Sequence, residues 1–278
     1  MTIVVGYDGT DYSMQALDWA MDEAEHRHAP LLVAHAWHWP YEPGDDLGRD
    51  SLRRAAEHVL WHGAECARNC TSGLTVDSDL REGPAAEHLI ELSRVADLVV
   101  VGSRGRRALV RTMIGSVADR VVTHAHSPVI VVRGAGSVPR RPDPGPIVAA
   151  VAGHDHPADD HVLEFAYREA SMRGLPLVAA QAWQYPVAWS PGTSLFLPDS
   201  LGEEVLGPIT EAWRTKYPEV ESTHLLEEGP VPDVLTRLSA TATLLVVGAA
   251  RSPGPLGRIG SVTRPVLHRA TCPIAVVR

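Results

Sequence analysis

The chain has 278 residues, of which 45% are hydrophobic, and its 34 acidic and 25 basic residues give a net charge of −9 at pH 7. This acidic balance disfavours wrapping nucleic acid, whose phosphate backbone would be repelled. Three cysteines, Cys66, Cys70 and Cys272, are too few and too scattered for a disulfide framework and indicate a reducing compartment. Because neither a signal peptide nor a run of about 18 apolar residues is evident, we expect a soluble, cytoplasmic protein without a membrane partner.

Short apolar runs alternate with longer amphipathic stretches along the first half of the chain. Runs that are apolar throughout are typical of strands buried on both faces of a parallel sheet. The amphipathic stretches carry their apolar residues at helical spacing. The pattern therefore predicts the order βαβαβαβαβ, with helices on both faces of a parallel sheet. The predicted strands are Ile3–Gly6, Pro30–Trp37, Leu74–Leu80, Leu98–Val101 and Pro128–Arg133, and the predicted helices are Ser13–His28, residues 51–67, Ala85–Val95 and Ser116–Ala125.

The second half of the chain repeats the first. Trp37 in the segment HAWHWP returns as Trp183 in QAWQYP, 146 positions later (183 − 37 = 146), and EGP and LVVVG return at the same spacing as EGP and LLVVG. A repeat of this length indicates two similar domains rather than a solenoid. We expect one domain over residues 1–134, a Gly- and Pro-rich linker over 135–146 and a second domain over 147–278. The predicted fold class is α/β, with two tandem, open, five-stranded parallel sheets.

A glycine-rich loop follows the fourth predicted strand. Gly102 and Gly105 are followed, after nine further residues, by Gly115 and Ser116 at the start of the next helix. Ligands of open parallel sheets bind beyond the carboxyl ends of the strands, and the N–H groups at a helix start form a ready anion site. The loop also carries four arginines in an otherwise acidic chain, namely Arg104, Arg106, Arg107 and Arg111.

The spacing alone leaves two interpretations of this loop open. One is a phosphate site, in which main-chain N–H groups and guanidinium groups contribute roughly 1.5–3 kcal/mol for each charge-assisted hydrogen bond. The other is ordinary loop chemistry, with glycines at turns and arginines on a solvated surface. The loop lacks both the Gly-Lys-Ser/Thr of a Walker loop and the glycine spacing of a dinucleotide-binding fold.

Asp8 follows the first predicted strand, in the segment GYDGT. It would lie beside the Gly102 loop if the first and fourth strands are neighbours in the sheet. Its carboxylate can accept a hydrogen bond from a ribose hydroxyl or an adenine amine. The alternative is an Asx turn or a cap for the following helix.

These motifs together resemble the universal stress protein family, over essentially the whole chain and as two tandem copies. The resemblance is carried by VGYDGT near the start, by the pair His35-Ala36 at the end of the second strand, and by the spacing G-x2-G-x9-G-S of the loop that begins at Gly102. It implies sheets of strand order 3-2-1-4-5. The glycine spacing also implies membership of the ATP-binding branch of that family.

The resemblance further implies an adenine nucleotide, ATP alone or with Mg²⁺, bound in the first domain with its adenine near Asp8 and the backbone of Ala36. It implies that the domains pair through their last strands, Pro128–Arg133 against Pro273–Arg278, within one chain. A homodimer of tandem chains is the expected further assembly. The implied nucleotide-binding residues are Gly6, Asp8, Ala36, Val101, Gly102, Arg104, Gly105, Gly115, Ser116, Val117 and Ala118.

The second half departs from this pattern. Ala152 stands where the first half has Asp8, and the second loop reaches Gly260 one residue early. Arg251 replaces the second glycine of the loop, and Pro255 removes a donor N–H. We therefore predict one tightly bound ATP per chain, in the first half, and a pairing role for the second half.

Three functions stay open from the sequence. The first is a regulatory stress-response module that binds ATP and presents a changed surface to a protein partner. The second is an enzyme that slowly hydrolyses ATP or transfers its phosphate, although no paired acid and base stands out. The third is a nucleotide-free dimerisation module. The 14 histidines predict no metal site, because His58 and His62 share a helix face but lack a third ligand.

Overall fold

The computed structural model of the chain describes residues 1–40, 46–105, 114–133, 144–153, 157–183, 200–249 and 260–278. They form two compact units, one for each half of the chain. Within these ranges, no helix combines the length and the apolar character needed to cross a bilayer.

Strands and helices alternate in both units. The first unit contains β1 (Ile3–Gly6), α1 (Asp11–Arg27), β2 (Leu31–Trp37), α2 (Asp46–Cys70), β3 (Val76–Glu82), α3 (Ala85–Leu92), β4 (Leu98–Gly102), α4 (Ser116–His124) and β5 (Val129–Val132). The second unit contains β6 (Ile147–Ala150), α5 (Pro157–Arg173), β7 (Leu177–Trp183), α6 (Ser200–Lys216), β8 (Ser222–Glu228), α7 (Val231–Leu238), β9 (Leu244–Gly248), α8 (Thr263–Arg269) and β10 (Ile274–Val277).

Each unit has a parallel sheet with its first strand at the centre. In the first unit β1 pairs with β2 and β4, while β2 also pairs with β3 and β4 with β5. In the second unit β6 lies between β7 and β9, and β8 and β10 complete the sheet. The predicted α/β class, the two tandem five-stranded parallel sheets and the order 3-2-1-4-5 are therefore confirmed.

The central strands are apolar throughout because helices cover both faces of the sheet. Ile3 and Val5 of β1 and Val100 of β4 are fully buried, as is Leu17 of α1. Burying an aliphatic side chain of this size contributes roughly 1.5–3 kcal/mol, so this layer supplies much of the stability on which the loops at its edge depend.

The first helix begins two residues earlier than predicted. Thr10 has extended backbone angles, and its hydroxyl accepts a hydrogen bond from Ser13 N at 3.3 Å, so that the helix begins at Asp11. It ends at Arg27, after which His28 takes a left-handed conformation with φ of 50°.

The third strand is displaced by two residues from its predicted position. It runs over Val76–Glu82 because it pairs along the whole of β2, with Val76 opposite Leu31 and Glu82 opposite Trp37. The polar sequence of this strand gives little apolar periodicity, so its ends are fixed by its neighbour rather than by its own pattern.

Several predicted features lie outside the described residues. They are residues 135–143 of the predicted linker, the loop arginines Arg106, Arg107 and Arg111, and Arg251 with Pro255 in the second loop. The predicted pairing of the last strands of the two domains, and the domain bounds themselves, stay predictions.

Gly63 allows α2 to pack closely against Tyr7. A Cβ added at Gly63 would lie 2.6 Å from Tyr7 Cδ1 and 2.7 Å from Tyr7 Cε1. Because overpacking a core costs about 1–3 kcal/mol, more than the helix propensity that alanine would add, we predict that Gly63→Ala lowers the free energy of unfolding in urea. Asn69→Ala, at an exposed position of the same helix, is the control and should change it by less than about 0.5 kcal/mol. A Gly63→Ala protein as stable as the parent would contradict this packing.

Candidate functional site

The carboxyl ends of the central strands open into a cleft of about 850 Å³ in the first unit. The register places Gly6 of β1 between Ala34 of β2 and Val101 of β4. All eleven residues that the sequence singles out line this cleft, which brings together segments far apart in the chain. They are Gly6, Asp8, Ala36, Val101, Gly102, Arg104, Gly105, Gly115, Ser116, Val117 and Ala118.

Asp8 both forms a turn and faces the loop. Its Oδ1 accepts hydrogen bonds from Thr10 N at 3.1 Å and from Thr10 Oγ1 at 2.6 Å, which is an Asx turn. Its Oδ2 lies 2.9 Å from the position that a Cβ of Gly105 would take. The helix cap itself is Thr10 rather than Asp8. Asp8 can thus form the Asx turn and line the cleft at the same time. It lies beside the loop, as expected.

Gly102 sits where no other residue fits. An added Cβ would lie 2.6 Å from Tyr12 O and 2.8 Å from the carbonyl carbon of Tyr12, both backbone atoms that cannot rotate away. The absence of a side chain therefore lets the end of β4 touch the first turn of α1. This contact places the loop after β4 against the loop after β1.

The start of α4 supplies main-chain donors to the cleft. Gly115 is its N-cap, with extended backbone angles and no side-chain capping bond, and Asp119 N donates the first helical bond to Gly115 O at 2.9 Å. The earlier N–H groups of the helix have no intrahelical acceptor, which is the arrangement that binds anions. Gly115 N in turn donates to Ser103 O at 2.8 Å and closes the base of the loop.

Arg104 is held by a residue that the sequence analysis missed. Its Nη1 donates to Tyr12 Oη at 2.6 Å, and its Cζ lies 5.1 Å from the centre of the Tyr12 ring. This combination of a hydrogen bond and cation–π stacking orients the guanidinium group in the wall of the cleft. The two residues are 92 positions apart, so only the approach of β4 to α1 could reveal the contact.

The other end of the cleft is formed by buried aromatic residues. His35, 8% exposed, lies with Nδ1 2.7 Å from Tyr7 O; because a carbonyl can only accept, Nδ1 carries the proton. The Tyr7 hydroxyl lies 2.9 Å from His62 Nδ1. Burial, followed by the influence of Cys66 and Asp8, raises the pKa of Tyr7 to about 12, so this phenol stays a neutral hydrogen-bonding group.

His88 is a polar residue in a position where the repeat has an apolar one. It lies on α3, is 4% exposed and lines the cleft, and its Nε2 is 3.4 Å from Asp79 Oδ2 on β3. The matching positions of the second unit, 146 residues later, hold Val234 and Leu225. Sequence reasoning missed this pair, although comparing the two halves position by position would have found it.

In the second unit, a carboxylate of the protein occupies the turn after β6, which corresponds to the turn after β1 in the first unit. Asp159, 5% exposed, accepts hydrogen bonds from Ala152 N at 2.9 Å and from Gly153 N at 2.8 Å. The first unit has Ser13 at the position of Asp159. At the start of α8, the Thr263 hydroxyl donates to Gly248 O at 3.0 Å. A buried negative charge here opposes the binding of an anion.

Among the described residues, no group of three His, Cys, Asp or Glu side chains is close enough together to bind a metal ion. The polar groups of the described part of the cleft are main-chain donors, hydroxyl groups, the Asp8 carboxylate, the Arg104 guanidinium group and the imidazoles of His35, His38 and His88.

Burial of His88 makes stability depend on pH. Burial is the main cause of its lowered pKa, opposed by Asp79 and Glu91 and reinforced by Arg81. The unfolded chain therefore takes up a proton at His88 at a higher pH than the folded chain does. Hence the free energy of unfolding should fall as pH drops below about 6.5, the ordinary pKa of histidine.

We predict that His88→Val, which introduces the residue found at the matching position 234, makes this fall smaller in urea titrations at several pH values. The exposed control His58→Gln should leave the fall unchanged. An equal fall in His88→Val would exclude His88 as the cause.

Comparison with known proteins places the chain in one family. The model of the universal stress protein family matches residues 1–133 and again residues 145–278. A universal stress protein of Mycobacterium tuberculosis is 31% identical, over 99% of this chain and 96% of its own. The crystal structure of a universal stress protein from Archaeoglobus fulgidus superposes with a TM-score of 0.75 at 18% identity, covering 100% of this chain and 98% of that one. A universal stress protein solved in complex with cAMP covers 49% of this chain and 98% of its own, at 26% identity and a TM-score of 0.40. The chain, in two tandem copies of the same fold, belongs to the universal stress protein family.

Proposed function

We propose that this protein is an ATP-binding regulatory module of the stress response, with the nucleotide held in the first domain. The observation that carries the proposal is the convergence of all eleven predicted residues on one cleft of about 850 Å³, a volume in the range of small-molecule sites. The proposal takes the two domains as residues 1–134 and 147–278, joined by residues 135–146.

The phosphates occupy the end of the cleft between the two glycine segments. There the N–H groups at the start of α4, the Ser116 hydroxyl and the Arg104 guanidinium group donate to phosphate oxygens. Each charge-assisted bond of this kind contributes roughly 1.5–3 kcal/mol, so three or four suffice for micromolar affinity once the entropy of association is subtracted. Mg²⁺, if it accompanies ATP, is held through the phosphates, because the described side chains supply no ligand cluster.

The adenosine occupies the other end. The Asp8 carboxylate accepts from a ribose hydroxyl or from the adenine amine, and the backbone of Ala36 lies beside the base. Gly6 and Gly105 leave room for the adenosine, since a Cβ at Gly105 would press against Asp8. His88 and Val101 complete an otherwise apolar wall.

The second domain does not bind ATP with comparable affinity. Ala152 offers no carboxylate for the ribose, and Asp159 already occupies the main-chain donors that follow β6. The second domain instead pairs with the first through β5 and β10, the apolar last strands of the two sheets, and the tandem chains form a homodimer in the cytoplasm.

Regulation follows from the position of the bound phosphates. They contact both ends of the segment between Gly105 and Gly115, so ATP binding favours one arrangement of the surface around that segment. A protein partner that recognises this arrangement then responds to the nucleotide state rather than to a product of catalysis.

The predicted binding can be tested by calorimetry with a control variant inside the same chain. We predict one ATP per chain, and an affinity about tenfold or more weaker in Asp8→Ala and in Ser116→Ala, because each loses a hydrogen bond to the ligand. Ser261→Ala, at the matching position of the second domain, should leave the affinity unchanged. Circular dichroism should show all three variants folded, since Asp8 and both serines lie away from the core.

Three results would contradict the proposal. The first is freshly purified protein that neither carries nor takes up an adenine nucleotide. The second is two equivalent sites per chain, or equal losses in Ser116→Ala and Ser261→Ala. The third is conversion of bound ATP to ADP during a long incubation with Mg²⁺, which would favour an enzyme.

A further inference from the structure

A second depression, which we name the α2–β3 groove, lies in the first unit between α2 and strands β2 and β3. It has a volume of about 470 Å³ and shares only Trp37 with the candidate nucleotide cleft. Glu57, Trp61 and Arg68 of α2 and Ser78 of β3 are among the residues that line it.

The internal repeat places a second version of this groove in the second unit, between α6 and β8. Every residue of the second version is 146 positions after its counterpart, so the two can be compared residue by residue. Six lining positions carry the same residue in both, namely Trp37 and Trp183, Glu57 and Glu203, Leu60 and Leu206, Arg68 and Arg214, Leu80 and Leu226, and Glu82 and Glu228.

In the second unit an imidazole lies between α6 and β8, at the position that Ser78 takes in the first unit. His224 is 1% exposed at its side chain, its Nδ1 contacts Glu203 Oε2, and its Nε2 lies 2.7 Å from Thr210 Oγ1. Glu203 is also held by Arg214, whose Nη1 donates to Glu203 Oε1 at 2.9 Å. Both ring nitrogens of His224 therefore have a partner within the groove.

In the first unit the same place is open. Ser78 stands in the position of His224 and Ala64 in that of Thr210, and both are smaller, so the space of an imidazole is left between α2 and β3. Glu57 remains as the acceptor, 47% exposed at its side chain and 3.0 Å from Arg53 Nε.

An exposed indole stands at the rim of the open groove. Trp61 is 58% exposed and takes the position of Gly207 in the second unit. A large aromatic residue on a surface is costly in water and is typical of interfaces, where it stacks on a planar or cationic group. The first unit thus replaces an internal imidazole with an open space and an exposed ring beside it.

We propose that the α2–β3 groove is a docking site for a histidine side chain of a partner protein. The imidazole enters where His224 lies in the second unit, donates to the Glu57 carboxylate and stacks against Trp61. A protein source fits better than free imidazole, because the groove is much larger than one ring. In addition, β3 is the last described strand on its side of the first sheet, and its outer edge can receive the flanking backbone of the partner.

The docking site is tested by nuclear magnetic resonance with a blocked histidine, N-acetyl-histidine methylamide, added to the full chain at about pH 6, near the pKa of imidazole. The indole N–H signal of Trp61, assigned by its loss in Trp61→Phe, should shift with a saturating curve. In Glu57→Gln the affinity should fall about tenfold, the loss of one charge-assisted hydrogen bond. Glu25→Gln, at an exposed position of α1, is the control and should leave it unchanged.

A second variant gives the first unit the side chains of the second. Ser78→His combined with Ala64→Thr should place an internal imidazole beside Glu57, abolish the shift of Trp61 and leave the chain folded. Should this variant fail to fold, the Glu57→Gln comparison still decides.

The proposal would be overturned by an unshifted Trp61 signal, by an equal affinity in Glu57→Gln, or by an equal shift with blocked alanine. Tighter binding of free imidazole than of blocked histidine would overturn the inference that the imidazole belongs to a partner protein. Nucleotide binding is a separate measurement, and its failure would leave this result unaffected.

Discussion

The contact between the end of β4 and the first turn of α1 is the constraint on which the candidate site depends. Gly102 allows it, because any Cβ would meet the backbone of Tyr12 at 2.6 Å. From this single approach follow the stacking of Arg104 on Tyr12 and the adjacency of Asp8 and Gly105. Neither loop could form this wall of the cleft alone, because each supplies only part of the donors and acceptors around it.

The two halves share a fold but differ at the edges of their sheets. The strand order and the pairing register match strand by strand, because the apolar runs of the central strands are repeated and the polar β3 and β8 each pair along a strand of the same length. The differences are polar and local: Asp159 for Ser13 beside the first strand, Val234 for His88 on the third helix, and His224 for Ser78 in the groove. The two units thus share a fold but not the chemistry of these positions, because the fold depends on the repeated apolar core and not on which polar residue stands at its margin.

Much of the fold and the positions of the cleft residues could be predicted from the sequence. Apolar runs identify buried strands, and the glycine spacing after β4 resembles that of the universal stress protein family, which implies the residues that line the cleft. The contacts between distant residues could not be predicted, because Tyr12 and Arg104 meet only through the tertiary structure. The bounds of β3 were wrong by two residues, because its polar sequence takes its register from β2. His88 has no local signal, since a histidine in an amphipathic helix is usually solvated.

Asp159 fixes the turn that follows β6 in the second unit. Its carboxylate accepts hydrogen bonds of 2.9 and 2.8 Å from two main-chain amides, so the turn after β6 is closed by a side chain of the same unit. The acceptor of this turn is part of the same chain, so the two hydrogen bonds form without a bound ligand. The second unit is therefore held at this edge by a side chain of its own, which the first unit, with Ser13 at the matching position, does not have.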